Sequence, residues 1–231
     1  MADKHYSPII AVRLRSIVDG RQWSALPDYL SGLSNSLFRT AGYMLGEKYM
    51  PTLDEPQFWE LANILVDYNR KAFLVTVLHS WLSRKSAALS SLASATFFHS
   101  LRGNTEDQKK TVQILLPTLT SVDEIEWLLS ALQLSDPRTL IAFYLQNITL
   151  PSGFLLLKTL RQVEDDRALL IRTTYYLMKK GDGLSFNLAS LICSFFGLDE
   201  VKGTFSLIIQ PYELARLSSD YDAYLKKIQA I

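Results

Sequence analysis

Four residues have the most direct claim to nucleophilic or metal chemistry: the one cysteine, Cys193, and the three histidines, His5, His79 and His99. A thiolate needs a cation or a helix N-terminus beside it to form at neutral pH. Cys193 sits in FNLASLICSFFG, Phe186 to Gly197, which holds no charged residue, and no basic residue stands at i±3 or i±4. A small buried hydrophobe, not a reagent, is expected there. The histidines show neither Glu-x-x-His nor His-Glu-x-x-His spacing. His79 and His99 fall on consecutive expected helices, 70–85 and 87–101. A hairpin turning near Ser86 sets His79 level with residue 93, which leaves an offset of about 9 Å at about 1.5 Å per residue. Zinc bonds of about 2 Å do not bridge that gap. No metal and no cofactor is expected.

The densest acidic run, Glu164-Asp165-Asp166, does not continue as the Asp-Asp-x-x-Asp of a magnesium site, because Arg167, Ala168 and Leu169 follow. It reads as the cap of a helix. Serines are many, but no Gly-x-Ser-x-Gly occurs. Gly181-Asp182-Gly183 lacks the third glycine and the preceding strand of a dinucleotide loop, and no Gly-Lys-Ser/Thr is present. These absences argue against the corresponding enzyme classes, and the non-enzymatic reading is preferred.

One helix carries a partner-facing pattern. In DRALLIRTTYYLMKK, residues 166–180, Leu170, Ile171, Thr174, Leu177 and Met178 share one side. Arg172, Tyr175, Tyr176 and Lys179 share the other, within an arc of roughly 100°. Arginine, tyrosines and lysine together suit a protein interface or an anionic ligand. The plainer alternative is a solvated face whose tyrosine rings lean on a neighbour.

The elements that position these residues read as helices throughout. Period-3.6 patterns and start signals recur, whereas sustained period-2 alternation does not. Expected helices span 8–18, 22–31, 34–49, 55–68, 70–85, 87–101, 105–116, 122–134, 137–148, 152–163, 166–180, 184–196, 199–209 and 211–229. Ser7-Pro8, Asp54-Glu55-Pro56 and Asp136-Pro137 combine a cap with an early proline, and Ser121 with Glu124 has capping-box spacing. Gly103-Asn104 and Gly181-Asp182-Gly183 mark turns. Acids cluster at expected starts (Asp54, Glu55, Asp123, Glu124, Asp166, Asp199, Glu200) and bases at expected ends (Arg84, Lys85, Lys179, Lys180, Lys226, Lys227), as the helix dipole favours. Asp222 and Lys226 add a favourable i,i+4 pair.

The chain of 231 residues is 48% hydrophobic and 20% charged, ordinary values for a globular protein with a sizeable core. A net charge of +1 lacks the broad basic signature of a nucleic-acid binder, so no nucleic-acid partner is expected. Arg13 and Arg15 cut off the apolar run at Pro8–Val12, so no secretory pattern is read. The uncharged run Thr139–Leu157 is broken by Gln146, Asn147, Pro151, Ser152 and Gly153, and reads as two helices around a turn, not a membrane span. One cysteine, with no internal disulfide to make, fits the cytoplasm.

Helix starts near 121, 151 and 183 lie about thirty residues apart. In period, though not in residues, this resembles a HEAT-type or armadillo-type stack of antiparallel helix pairs over roughly residues 50–210. The expected fold is all-α: antiparallel pairs stacked as an α-α superhelix, or an irregular multi-helix bundle. It forms a single domain over 1–231, in which an N-terminal subregion, 1–50, packs on a helix-pair array, 51–231. The two helical faces of Phe186–Gly197 place that segment inside, covered on both sides. Trp59 falls off the Phe58/Leu61/Leu65 stripe and is expected to meet a second neighbouring helix. All four tryptophans are assigned to packing. The expected function is a protein-interaction or scaffold module with another protein as partner. The alternative is an all-α enzyme or small-ligand binder with a pocket drawn from His79, His99 and the Arg172 face.

Overall fold

The computed structural model describes residues 8–84, 91–198 and 201. Expected helices 199–209 and 211–229 lie outside these residues (position 201 apart), as do His5, Ser7, Lys85, Asp199, Glu200, and the Asp222, Lys226 and Lys227 charges. Among the described residues all regular structure is helical. The long helices are α1 (Pro8–Asp19), α2 (Leu26–Ser31), α3 (Asn35–Met44), α4 (Glu55–Leu82), α5 (Leu92–Ser100), α6 (Thr105–Leu115), α7 (Val122–Ala131), α8 (Pro137–Gln146), α9 (Leu150–Leu160), α10 (Arg167–Lys180) and α11 (Gly183–Phe196). Among them no helix is long and apolar enough to cross a membrane. The run Thr139–Leu157 splits as its break signals predict, with α8 ending at Gln146 and α9 starting at Leu150.

Four aspartates at helix starts are caps. Asp54, Asp136, Asp166 and Asp182 accept the backbone N–H of Gln57, Thr139, Leu169 and Ser185 at 2.9, 2.9, 3.0 and 2.9 Å. The side-chain and backbone hydrogen bonds from Thr139 hold the Asp136 carboxyl below its ordinary pKa. At Asp182 burial pushes upward, but the two Ser185 bonds and Lys180 outweigh it and the pKa is lowered. Ser121 and Glu124 close the expected box: the Glu124 amide donates to Ser121 Oγ at 3.2 Å and the Ser121 amide to Glu124 Oε2 at 3.3 Å. Helix α9 starts two residues before the expected 152. Thr149 and Ser152 form a capping box there, and Pro151 suits the first turn because it lacks the N–H that would go unpaired.

The chain divides into two compact units, residues 1–118 with 127–133, and 119–126 with 134–231. The first gathers on α4. This helix is interrupted at Asn69 (φ −154°, ψ 82°), where the sequence places a break between 55–68 and 70–85. A straight helix would hold Phe58 and Trp81 about 35 Å apart. Their ring centroids are 5.2 Å apart, so the chain reverses at Asn69 into two antiparallel arms, 55–68 and 70–82. Asn69 Oδ1 accepts the Ala72 N–H at 3.1 Å and so caps the second arm.

The reversal builds an aromatic core. Trp59 packs on Trp81 at 4.6 Å, the rings tilted by 41°, and reaches Phe97 and Phe98 of α5 at 5.1 and 5.6 Å, the second helix expected for it. Phe98 meets Trp127 at 5.5 Å. Arg84 lies over the Phe58 and Trp81 rings at 4.9 and 5.4 Å and donates to the Met50 carbonyl at 3.2 Å. Arg102 and Gln108 donate to the carbonyls of Ala131 and Leu132 at 2.8 Å each, satisfying groups that a helix end leaves open. This unit is an irregular bundle around two arms of one helix.

The second unit holds two helical hairpins, α8–α9 and α10–α11. Arg138 Nη2 meets Asp166 Oδ2 at 2.8 Å, which sets the starts of α8 and α10 side by side. A Cβ on Gly153 would come within 3.0 Å of Leu188, and Arg161 lies 5.7 Å from the Phe195 ring centroid. These two contacts advance together along α9 and α11, so the helices run parallel.

The expectation that α11 is covered on both sides is corrected. Leu188, Ala189 and Ile192 are buried, but Leu191 and Phe195 are 40% and 55% exposed. Cys193 is half-buried rather than buried. Apolar composition alone does not say how many neighbours a helix has.

Trp81→Ala should cost about 3–5 kcal/mol, as for other buried aromatic truncations, and Asn69→Ala about 1 kcal/mol, as for a lost cap. Urea unfolding curves of the two variants check the order of these effects.

Candidate functional site

The sequence-derived partner residues lie on one face of α10. Leu170, Thr173, Thr174, Leu177 and Met178 turn inward, so Arg172, Tyr175, Tyr176 and Lys179 fall on the opposite side. Arg172 is exposed and its Nε donates to the Ala168 carbonyl at 3.2 Å, within its own helix. Lys179 Nζ stands 5.9 Å from the Tyr175 ring centroid. Tyr176 is 45% exposed. The four share the outward side of α10, with Arg172, Tyr176 and Lys179 exposed and Tyr175 half-buried.

A second surface in the same unit was not anticipated. On α9, Leu150 and Phe154 are 63% and 62% exposed, an i,i+4 pair on the stripe that continues to Arg161. On α11, Leu191 and Phe195 make another i,i+4 pair, and the Arg161 guanidinium over Phe195 joins the two stripes. Neither α9 nor α11 contains an acidic residue. Lys158 is balanced by Glu126, at 2.6 Å. The result is an exposed strip of two apolar pairs, with Lys158 following Phe154 on α9 and Arg161 at the end beside Phe195. The spread of Leu150, Phe154, Leu155, Leu156, Leu157 and Leu160 around LPSGFLLLKTL was a signal that α9 has an apolar outer side as well as an inner one. Near it, Tyr144 is inert: burial pushes its hydroxyl up to about 12, against the Thr159 hydrogen bond, with Glu126 adding to the rise.

A cleft lies in the first unit, between α3 and the second arm of α4. After α3 the chain makes a wide π-helical turn, Leu45–Tyr49. Wide turns of this kind are often found at functional positions. Here the turn presses Gly46 against α4, where a Cβ would come within 2.4 Å of Thr76 Cγ2. Ser80 Oγ donates to the Gly46 carbonyl at 2.7 Å, locking the contact. Above this contact the helices diverge into two lobes of about 460 and 570 Å³. Glu47, Val75, His79 and Ser83 line one, and Asn35, Phe38, Arg39 and Phe73 the other. Tyr43 and Thr76 line both, so the two lobes are neighbours along the same groove.

His79 thus lines a cleft, whereas His99 is exposed on α5 and the Arg172 face belongs to the other unit. The pocket that required all of them to converge is not formed within either unit. Among the described residues no three histidine, cysteine or acidic side chains are grouped as metal ligands. The cleft had a sequence signal that periodicity did not reveal: Gly42 and Gly46, and the polar series Asn35, Arg39, Tyr43 and Glu47, both at i,i+4 spacing. No protein-family model, no curated protein and no solved structure matches this chain.

Gly46→Ala should destabilise the protein by about 1–3 kcal/mol through overpacking against Thr76. Combining it with Thr76→Ser, which removes the clashing methyl, should recover much of that loss in a double-mutant cycle of thermal melts.

Proposed function

We propose that the chain is a non-enzymatic protein-interaction module that receives an amphipathic segment of a partner protein across α9 and α11. The observation that carries this reading is the strip of Leu150, Phe154, Leu191 and Phe195, each 40–63% exposed, on two parallel neighbouring helices. Burying one such side chain fully contributes about 1.5–3 kcal/mol. Four together are worth covering even after the costs of association are met. Large apolar side chains standing together on a surface mark interaction sites, whereas scattered ones do not.

The charge pattern selects the partner. With no acid on either helix and Arg161 at the edge, the complement is a helix with apolar residues at i, i+3, i+4 and i+7 and a carboxylate beside them. The near-zero net charge supports a protein, not a nucleic acid, as the partner. The α10 face of Arg172, Tyr175, Tyr176 and Lys179 serves as a second contact. The lone cysteine fits work in a reducing compartment, and we place the module in the cytoplasm on that ground.

A displayed library of 16-residue helical peptides, selected on the full chain, tests the proposal. Enriched peptides should carry the apolar spacing with acidic flanks. Their affinity should fall at least tenfold in a Phe154→Asp/Phe195→Asp variant that melts like the parent. No enrichment, or binding indifferent to the variant, would count against the reading. So would a dimer that this variant dissociates, because the face would then seat a second copy of the chain.

A further inference from the structure

We infer that the cleft between α3 and the second arm of α4 binds a short peptide with free ends, its carboxylate on Arg39 and its amine on Glu47. This site belongs to the first unit and does not depend on the strip formed by α9 and α11. Each lobe falls within the 300–1,000 Å³ range of small-ligand sites, roughly speaking. Arg39 and Glu47 lie in different lobes, and neither is in an ion pair among the described residues. Both are exposed, so their charges reach a ligand without prior rupture of an internal contact.

Length and charge order narrow the ligand. Arg39 and Glu47 are eight positions apart, at most about 12 Å along the axis, since the last three steps run in the π-helical turn. A fully extended chain of four residues spans about 13–14 Å, so a tetrapeptide reaches from one to the other. Between the ends, the half-buried Phe38 and the 40% exposed Val75 offer apolar surface. Thr76 and His79 supply a hydroxyl and a ring nitrogen for the peptide's amide groups. A polyanion is disfavoured, because the Glu47 carboxylate would repel its second charge. A fatty carboxylate satisfies Arg39 but lays its tail across Glu47 and His79. A zwitterion with an apolar middle meets both ends.

The glycine pair explains why the floor is open. Gly42 stands over Phe73, whose ring a Cβ would touch at 3.5 Å, and Gly46 abuts Thr76. A side chain at Gly46 would push the turn away from α4, and one at Gly42 would rest on the Phe73 ring in ordinary contact and narrow the groove beside it.

Titration of the isotope-labelled full chain with the tetrapeptide alanyl-leucyl-phenylalanyl-alanine, followed by amide shifts in NMR, tests the inference. Shifts are expected at Tyr43, Thr76 and His79. Amidating the peptide's carboxylate and acetylating its amine should each weaken binding about tenfold, the size of one charge-assisted hydrogen bond. The first loss should vanish in Arg39→Ala and the second in Glu47→Gln, with both folds verified by the same spectra. No shifts at millimolar peptide, no effect of either blocking group, or an effect of only one would overturn it.

Discussion

The reversal of the chain at Asn69 fixes where the first unit can place everything else. It turns a helical stretch that would extend about 40 Å into two arms lying side by side. Phe58 and Trp59 then face Trp81, and α5 brings Phe97 and Phe98 onto the same cluster. The second arm, held by this cluster on one side, presents Phe73, Thr76 and Ser80 to α3 and the π-helical turn. Loss of the aromatic stack would therefore release the wall of the cleft along with the core. The Asn69 cap is a small contribution by comparison. It chooses where the chain bends, and the aromatic contacts supply the energy that keeps it bent.

In the second unit the governing constraint is the number of neighbours each helix has. Gly153 admits Leu188 closely enough that α9 and α11 pack along their inner sides. That contact leaves Phe154, one residue on, pointing away, and the same geometry leaves Phe195 beside Arg161. The apolar strip is thus a consequence of two helices that are apolar on more than one side meeting along only one of them. A buried α11 would have removed this surface. The observed exposure creates it.

Start signals were the most legible part of the fold. The cap at Asp54, the box at Ser121–Glu124 and the proline after Asp136 act locally, through hydrogen bonds three residues long, and local chemistry is what a single sequence records. The break at Asn69 was visible in the same way. What was not visible depends on partners distant in the chain. The meeting of Trp59 with Trp81, and of Trp127 with the same cluster through Phe98, could not be read from their spacing, although Trp59's position off the main stripe indicated a second neighbour. For α11, helical periodicity separated two apolar faces but assigned both to the interior. Which face is covered is set by where α9 stops and what lies beyond it. The Arg172 face was legible because one helix determines it, whereas the cleft requires α3 and the second arm of α4 to be paired first.

The account rests most directly on the strip over α9 and α11 being open in the free protein. Hydroxyl-radical footprinting of the full chain, read by mass spectrometry, measures this residue by residue. Phe154 and Phe195 should oxidise many times faster than Phe97 and Phe98, which are 0% exposed in the aromatic core. Protection of Phe154 and Phe195 to the level of Phe97 would mean that the chain already covers this face, and would contradict its role as a docking surface.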